Sequence, residues 1–323
     1  MKMLQRLPDP WVRERELAGD ASHRRYARIW DRLGRSAVIV RYPRSVRDQL
    51  ERDLSVRMWC EEHGLRVPSL LDHDLGHGWA VHEDFGVEDA ERTLEIARPD
   101  ERVELALRCL RPLVRLAELP PDELPRWNSP LHGKRLRWEL AGFELWVMRH
   151  LMNANPSPAI GDWLDELAAI INEHPVRVCH RDFHLNNLFL LPEEEVGVID
   201  YQDILIGPDT YDMASLLGER AMPRVLAAVE RQRIQNAWAT ATRAEAGWPE
   251  RFLLVRIQRG LKVLGTFARL TATGAASYEQ WIEPLARDLA AEVGDTNAPS
   301  DLVGLLLDLS RRHDGGNCGT DRE

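Results

Sequence analysis

Lysine is nearly missing from this chain. Of 42 basic side chains only Lys2, Lys134 and Lys262 are lysines, so none is available on the strands of the N-terminal region. Cysteine is scarce as well. Cys60, Cys109, Cys179 and Cys318 show neither paired metal-ligand spacing nor a disulfide framework, which argues against a zinc module and fits a reducing cytoplasm. No apolar run approaches the roughly eighteen residues needed to cross a membrane, and Met1 to Arg6 lacks a secretory core. A soluble protein with no membrane partner is therefore expected. A basic excess is also lacking: 42 − 52 = −10. That balance argues against a nucleic-acid-coating role. No solenoid or propeller period is visible.

What is present is concentrated in one stretch. Val178-Cys179-His180-Arg181-Asp182-Phe183-His184-Leu185-Asn186-Asn187-Leu188 places an acid and an amide five residues apart, and Val198-Ile199-Asp200-Tyr201 ends a later apolar run on a second acid. Phosphoryl transfer needs these groups. Asp182 can accept a proton from an attacking hydroxyl, while Asn187 and Asp200 offer hard oxygen ligands for magnesium on nucleotide phosphates. Val176 and Val178 lead into the loop, Leu188 to Leu191 leaves it, and a turn at Pro192 to Glu195 precedes Val196, Val198 and Ile199. The order is strand, loop, hairpin, metal aspartate. It resembles the kinase catalytic loop H-R-D-x-x-x-x-N and its later metal-binding Asp.

The 323 residues suffice for two lobes. Tyr26 to Trp30 and Ala37 to Tyr42 read as strands joined by a turn at Leu33-Gly34, and Arg47 to His63 reads as a helix closed by Gly64. Trp79 to His82 is a further strand, followed by a hinge at Glu83-Asp84-Phe85-Gly86 whose backbone can meet an adenine edge. Beyond it the pattern is helical, in segments 101–117, 131–151, 162–172, 211–220 and several between 222 and 293. The expected fold is α+β and bilobal like a protein kinase, with a small β-sheet lobe over 1–86, a larger mainly α lobe over 87–310 and a tail over 311–323.

Two features depart from protein kinases. The turn Ala18 to Tyr26 has one glycine where a phosphate-covering loop uses several, although Gly19, Ala21 and Ser22 are small and Arg24 or Arg25 can add charge. With no strand lysine, Arg41 is the nearest cationic substitute, and Asp53, with Glu51 as competitor, is placed on the following helix to pair with it.

The chain resembles the aminoglycoside phosphotransferase-like kinases, and within them the anomeric sugar kinases of cell-wall recycling that act on N-acetylmuramate and N-acetylglucosamine. Four segments carry this resemblance: Gly19 to Ser22 with Arg24-Arg25-Tyr26, the loop from His180 to Leu188, Ile199 to Asp203 with Gly207-Pro208 and Tyr211-Asp212, and Gln258 to Leu270. Asp200-Tyr201-Gln202 stands where protein kinases carry Asp-Phe-Gly, and no long activation segment separates Asp203 from Tyr211. The resemblance implies ATP and Mg²⁺ as cofactors and a small-molecule amino sugar as partner, with no protein or nucleic-acid partner. It makes Asp182 the base, Asn187 and Asp200 the metal ligands, and His180 and Asp212 supports of the loop. Gly19, Ala21, Ser22, Arg24, Arg41, Glu83 and Phe85 would face the nucleotide, whereas Glu139, Trp146, Gln202 and Asp203 would face the acceptor. Phe143 reads as core, and Lys134, Arg135, Arg137 and Arg149 as either carboxylate readers or solvated charges. Other small alcohols, aminoglycosides among them, and a nucleotide-binding pseudokinase are the alternatives.

Overall fold

The computed structural model describes residues 7–17, 24–218 and 222–312. Five antiparallel strands open the chain: β1 (Trp11–Glu16), β2 (Arg25–Asp31), β3 (Ser36–Arg41), β4 (Leu70–Asp74) and β5 (Trp79–Glu83), in the spatial order β1-β2-β3-β5-β4. Asp31 shapes the β2–β3 turn by accepting the N–H groups of Leu33 and Arg35, and Gly34 takes the left-handed φ of 82° that the turn requires. Alternation then sorts the sheet into two faces. Ala27, Ile29, Ala37, Ile39 and Val81 bury one; Val40, Tyr42 and Ala80 bury the other against Leu50 of helix α1 (Gln49–Glu62).

Helix α1 ends at Gly64, φ 79°, where Leu65 donates back to Cys60 at 2.9 Å. Its Val56, Trp59 and Cys60 belong to the main core of the second lobe. The helix therefore packs on both lobes at once.

The larger lobe begins with α2 (Ala90–Ile96), α3 (Pro99–Arg108) and α4 (Leu110–Glu118). The single helix expected over 101–117 is broken at Cys109, because Pro112 has no N–H for the Arg108 carbonyl and its ring crowds that group. The segment expected over 131–151 is likewise two pieces: α5 (Gly133–Gly142) and a π-helical stretch, Phe143–Leu151, in which Met152 donates to Val147. Helices α6 (Pro158–Asn172), α7 (Tyr211–Gly218), α8 (Met222–Val225), α9 (Ala228–Ala241), α10 (Trp248–Ala272), α11 (Ile282–Gly294) and α12 (Ser300–Leu309) complete it. Gly265 of α10 crosses the π-helical stretch so closely that a Cβ would stand 2.6 Å from the Phe143 nitrogen.

Two small antiparallel ladders carry the loops of interest: β6 (Val176–Cys179) with β9 (Leu205–Pro208), and β7 (Leu188–Leu190) with β8 (Val196–Val198). The loop with Asp182 joins β6 to β7, and the turn with Asp200 joins β8 to β9. Ile199 donates to the Asn187 carbonyl at 2.9 Å, which ties the two together. Five elements escaped the sequence reading: β1, β4, β9, α2 and α12. Among the described residues no helix is long and apolar enough to span a membrane.

Candidate active site

The loop from His180 is held from behind by a buried carboxylate. Asp212, at the start of α7 and 3% exposed, accepts the N–H of His180 at 2.6 Å and that of Arg181 at 2.8 Å. Burial pushes its pKa up, while His180 and those two N–H groups oppose the rise. The clamp sustains a left-handed Arg181, φ 80°, a conformation that costs a non-glycine residue free energy unless its surroundings enforce it. The His180 ring donates from Nε2 to the Ile199 carbonyl at 3.0 Å, since a carbonyl can only accept.

This geometry delivers Asp182 to a partly open position, its side chain 30% exposed. Burial would raise the Asp182 carboxyl, but Lys262, Arg259, Arg181 and His184 together hold it well below the usual carboxylate range. Arg259 of α10 lies 3.7 Å from Asp182 and also donates to the Arg181 carbonyl and the Tyr211 hydroxyl, each at 3.0 Å. A carboxylate this well compensated is ionised at neutral pH.

Asn187 donates its side-chain N–H to the Asp182 carbonyl at 2.9 Å, which turns its Oδ1 away from that bond. Asp200 is left-handed as well, φ 61°, and its Oδ1 accepts from Gln202 at 2.6 Å. One amide oxygen and one carboxylate oxygen suit magnesium, which keeps several waters and takes its other ligands from phosphate. Among the described residues no group of three or more His, Cys, Asp and Glu side chains forms a separate metal cage.

On the acceptor side, Arg181 forms an ion chain with Glu139 and Asp203, 3.6 Å from each. Glu139 is 7% exposed, its Oε2 faces the Gln258 amide at 3.4 Å, and its Oε1 accepts no hydrogen bond. A buried carboxylate with spare acceptor capacity suits a polyhydroxylated ligand. Trp146, on the π-helical stretch, is half-buried against the main core and edge-on to His150 at 5.5 Å. Phe143 is fully buried, as read.

The nucleotide side differs from expectation in its pairing. Arg41 meets Glu14 of β1 at 2.6 Å, not Asp53. The reason is alternation: α1 covers the Val40 and Tyr42 face, so Arg41 points to the opposite one. Asp53 instead accepts from Tyr42 at 2.9 Å and from Arg24 at 3.1 Å, and a second Arg24 nitrogen lies 3.7 Å from Asp200. Glu83 binds Arg66 through both oxygens, at 2.5 and 2.8 Å, and its N–H donates to Ser69, so both groups are committed within the protein. Phe85 is sandwiched: Arg66 lies 4.9 Å over its ring, Phe189 of β7 is 5.7 Å away, and a Cβ on Gly197 of β8 would meet it at 2.5 Å. Gly19, Ala21 and Ser22 lie outside the described residues.

Four contributors were not anticipated from sequence. Arg259 and Lys262 sit three apart on α10, inside a segment already marked by resemblance. Gln258 precedes them. Asn128 holds the turn after Asp200 by donating to the Gln202 and Ile204 carbonyls at 3.0 and 2.9 Å, and nothing in its local sequence signals that.

Residues 13–251 match the model of a phosphotransferase enzyme family. An N-acetylmuramate/N-acetylglucosamine kinase of Pseudomonas aeruginosa is 33% identical over 269 residues, covering 78% of this chain and 75% of that protein. Among solved structures, an aminoglycoside-3'-phosphotransferase of type VIII aligns with a TM-score of 0.53 at 18% identity, covering 78% of this chain and 93% of that one. An amicoumacin kinase in complex with AMP-PNP, Ca²⁺ and Ami aligns at 0.58 and 15% identity, over 93% and 92%. The last two show the shared bilobal fold.

Proposed function

The chain belongs to the phosphotransferase enzyme family and is a kinase with an alcohol group as acceptor, and from that premise we propose that it phosphorylates the anomeric hydroxyl of an N-acetylated amino sugar. N-acetylmuramate and N-acetylglucosamine are the acceptors, Mg·ATP is the donor, the product is the 1-phosphate, and the reaction runs in the cytoplasm.

The observation that carries this reading is the set of cations around Asp182. Lys262, Arg259 and Arg181 keep the carboxylate ionised but lower its proton affinity, which makes it a weak base. An anomeric hydroxyl is more acidic than an ordinary alcohol, so a weak base matches it better than it would match a secondary ring hydroxyl. In the transfer, Asp182 takes the hydroxyl proton as the anomeric oxygen bonds to the γ-phosphorus and the bond from that phosphorus to the ADP oxygen breaks. Asn187 and Asp200 are the residues suited to magnesium, which when bound offsets charge on the phosphate oxygens. Glu139, Arg181 and Asp203 orient the sugar, with Gln258 bracing Glu139 from below.

The test is an ATP turnover assay with both sugars, their methyl glycosides and a panel of aminoglycosides, the products identified by phosphorus NMR. The free sugars should yield 1-phosphates and the methyl glycosides should be inert. Phosphorylation of the glycosides, or of aminoglycosides alone, would overturn the anomeric assignment.

A further inference from the structure

We propose that Arg24, held by Asp53, is the phosphate-clamping cation of the small lobe and replaces the missing strand lysine from a different strand. The inference rests on the kinase reading above and adds the residue that anchors its nucleotide.

Three observations converge on it. The α1-facing side of β3 carries Val40 and Tyr42, so that strand supplies no cation to the cleft, and its one arginine is paired with Glu14 on the far face. Arg24, immediately before β2, reaches the cleft and is only 14% exposed there. Its guanidinium spans the lobes, with Nη1 donating to Asp53 of α1 at 3.1 Å and Nη2 standing 3.7 Å from Asp200 of the large lobe.

The second distance is an ion-pair separation, longer than a hydrogen bond. Arg24 therefore approaches the magnesium-side carboxylate without closing on it, and a phosphate oxygen entering there meets a guanidinium donor. A fork of five N–H donors can keep its carboxylate while binding phosphate, which a compact ammonium does less readily. Asp53 is built to hold it: 6% exposed, it also accepts from the Tyr42 hydroxyl and from Arg52. Arg24 further lies 5.8 Å over the Tyr26 ring, which limits its swing.

The experiment measures binding of Mg·AMP-PNP and of adenosine to the full chain without sugar, together with steady-state kinetics. Arg24→Gln should weaken AMP-PNP at least about tenfold, the order expected for a lost charge-assisted contact, and leave adenosine unchanged. Arg24→Lys should recover part of that loss, Asp53→Asn should shift affinity the same way by a smaller factor, and Arg41→Ala should change neither ligand. In kinetics the ATP KM should rise while the sugar KM holds. Equal weakening of adenosine and AMP-PNP, or a larger effect from Arg41→Ala than from Arg24→Gln, would overturn the proposal. If Arg24→Gln does not fold, Arg24→Lys and Asp53→Asn decide by the same ratio. Wild-type protein that binds AMP-PNP no better than adenosine would remove the nucleotide reading itself.

Discussion

Asn187 donates its side-chain amide to the backbone carbonyl of Asp182 at 2.9 Å, so the residue suited to the metal also fixes the residue suited to the proton. Asp182 and Asn187 are thus one mechanical unit. Loss of the Asn187 amide is therefore expected to be felt at Asp182, whereas a side-chain change at Asp182 leaves the bond in place.

Asp182→Asn separates proton transfer from binding. Turnover should fall at least about a hundredfold, the usual range for a lost acid–base group, while Mg·ATP affinity changes little. Single-turnover kinetics beside nucleotide titration checks both, and near wild-type turnover would take Asp182 out of the mechanism.

The metal assignment gives a different signature. Asn187→Ala and Asp200→Ala should raise the magnesium concentration needed for half-maximal rate, and Asn187→Ala should also reduce the limiting rate because the Asp182 carbonyl loses its donor. Unaltered metal dependence in both variants contradicts the assignment.

A pH profile tests the cations around the base. Asp182 is depressed below its unfolded value, so it contributes stability above that value which is lost as pH falls through the lower folded one, and it remains a competent base throughout the mildly acidic range. Lys262→Met removes the foremost opposing charge. The acidic limb of kcat/KM should then move to higher pH, with little change at pH 8. A limb that stays in place would show that Lys262 does not tune Asp182.

Asp212→Ala leaves the buried N–H groups of His180 and Arg181 without an acceptor, at about 1–3 kcal/mol each. Denaturant unfolding should show a loss in that range or above, and activity should fall more steeply than stability because Arg181 loses its enforced conformation. Activity that tracks only the folded fraction would place Asp212 outside the site.

Much of this site lies on one contiguous stretch, which is why His180, Asp182, Asn187 and Asp200 could be read directly with the hairpin between them. The Arg41 pairing went wrong for a physical reason: alternation placed Arg41 beside Ile39, but which face α1 would cover depends on tertiary packing. Strand β1 was hidden by its composition, since Val12-Arg13-Glu14-Arg15-Glu16 is an exposed, charged edge whose order comes from pairing with β2. The break between α3 and α4 was missed although its signal was present, since Pro112 has no N–H for the Arg108 carbonyl. Arg259 and Lys262 lie far along the chain from Asp182, and only the path of α10 through the large lobe brings them to it.

The short route from Asp200 to Asp212 has a consequence for control. Strand β9 occupies Leu205–Pro208 and α7 starts at Tyr211, so the chain passes from Asp200 to Asp212, the buried anchor of the Asp182 loop, with no slack. In enzymes governed by a covalent mark, that interval is where a flexible strap swings between blocking and permitting postures. Here it is ladder and helix. Between Asp200 and Asp212 the chain therefore holds no strap free to swing in that way.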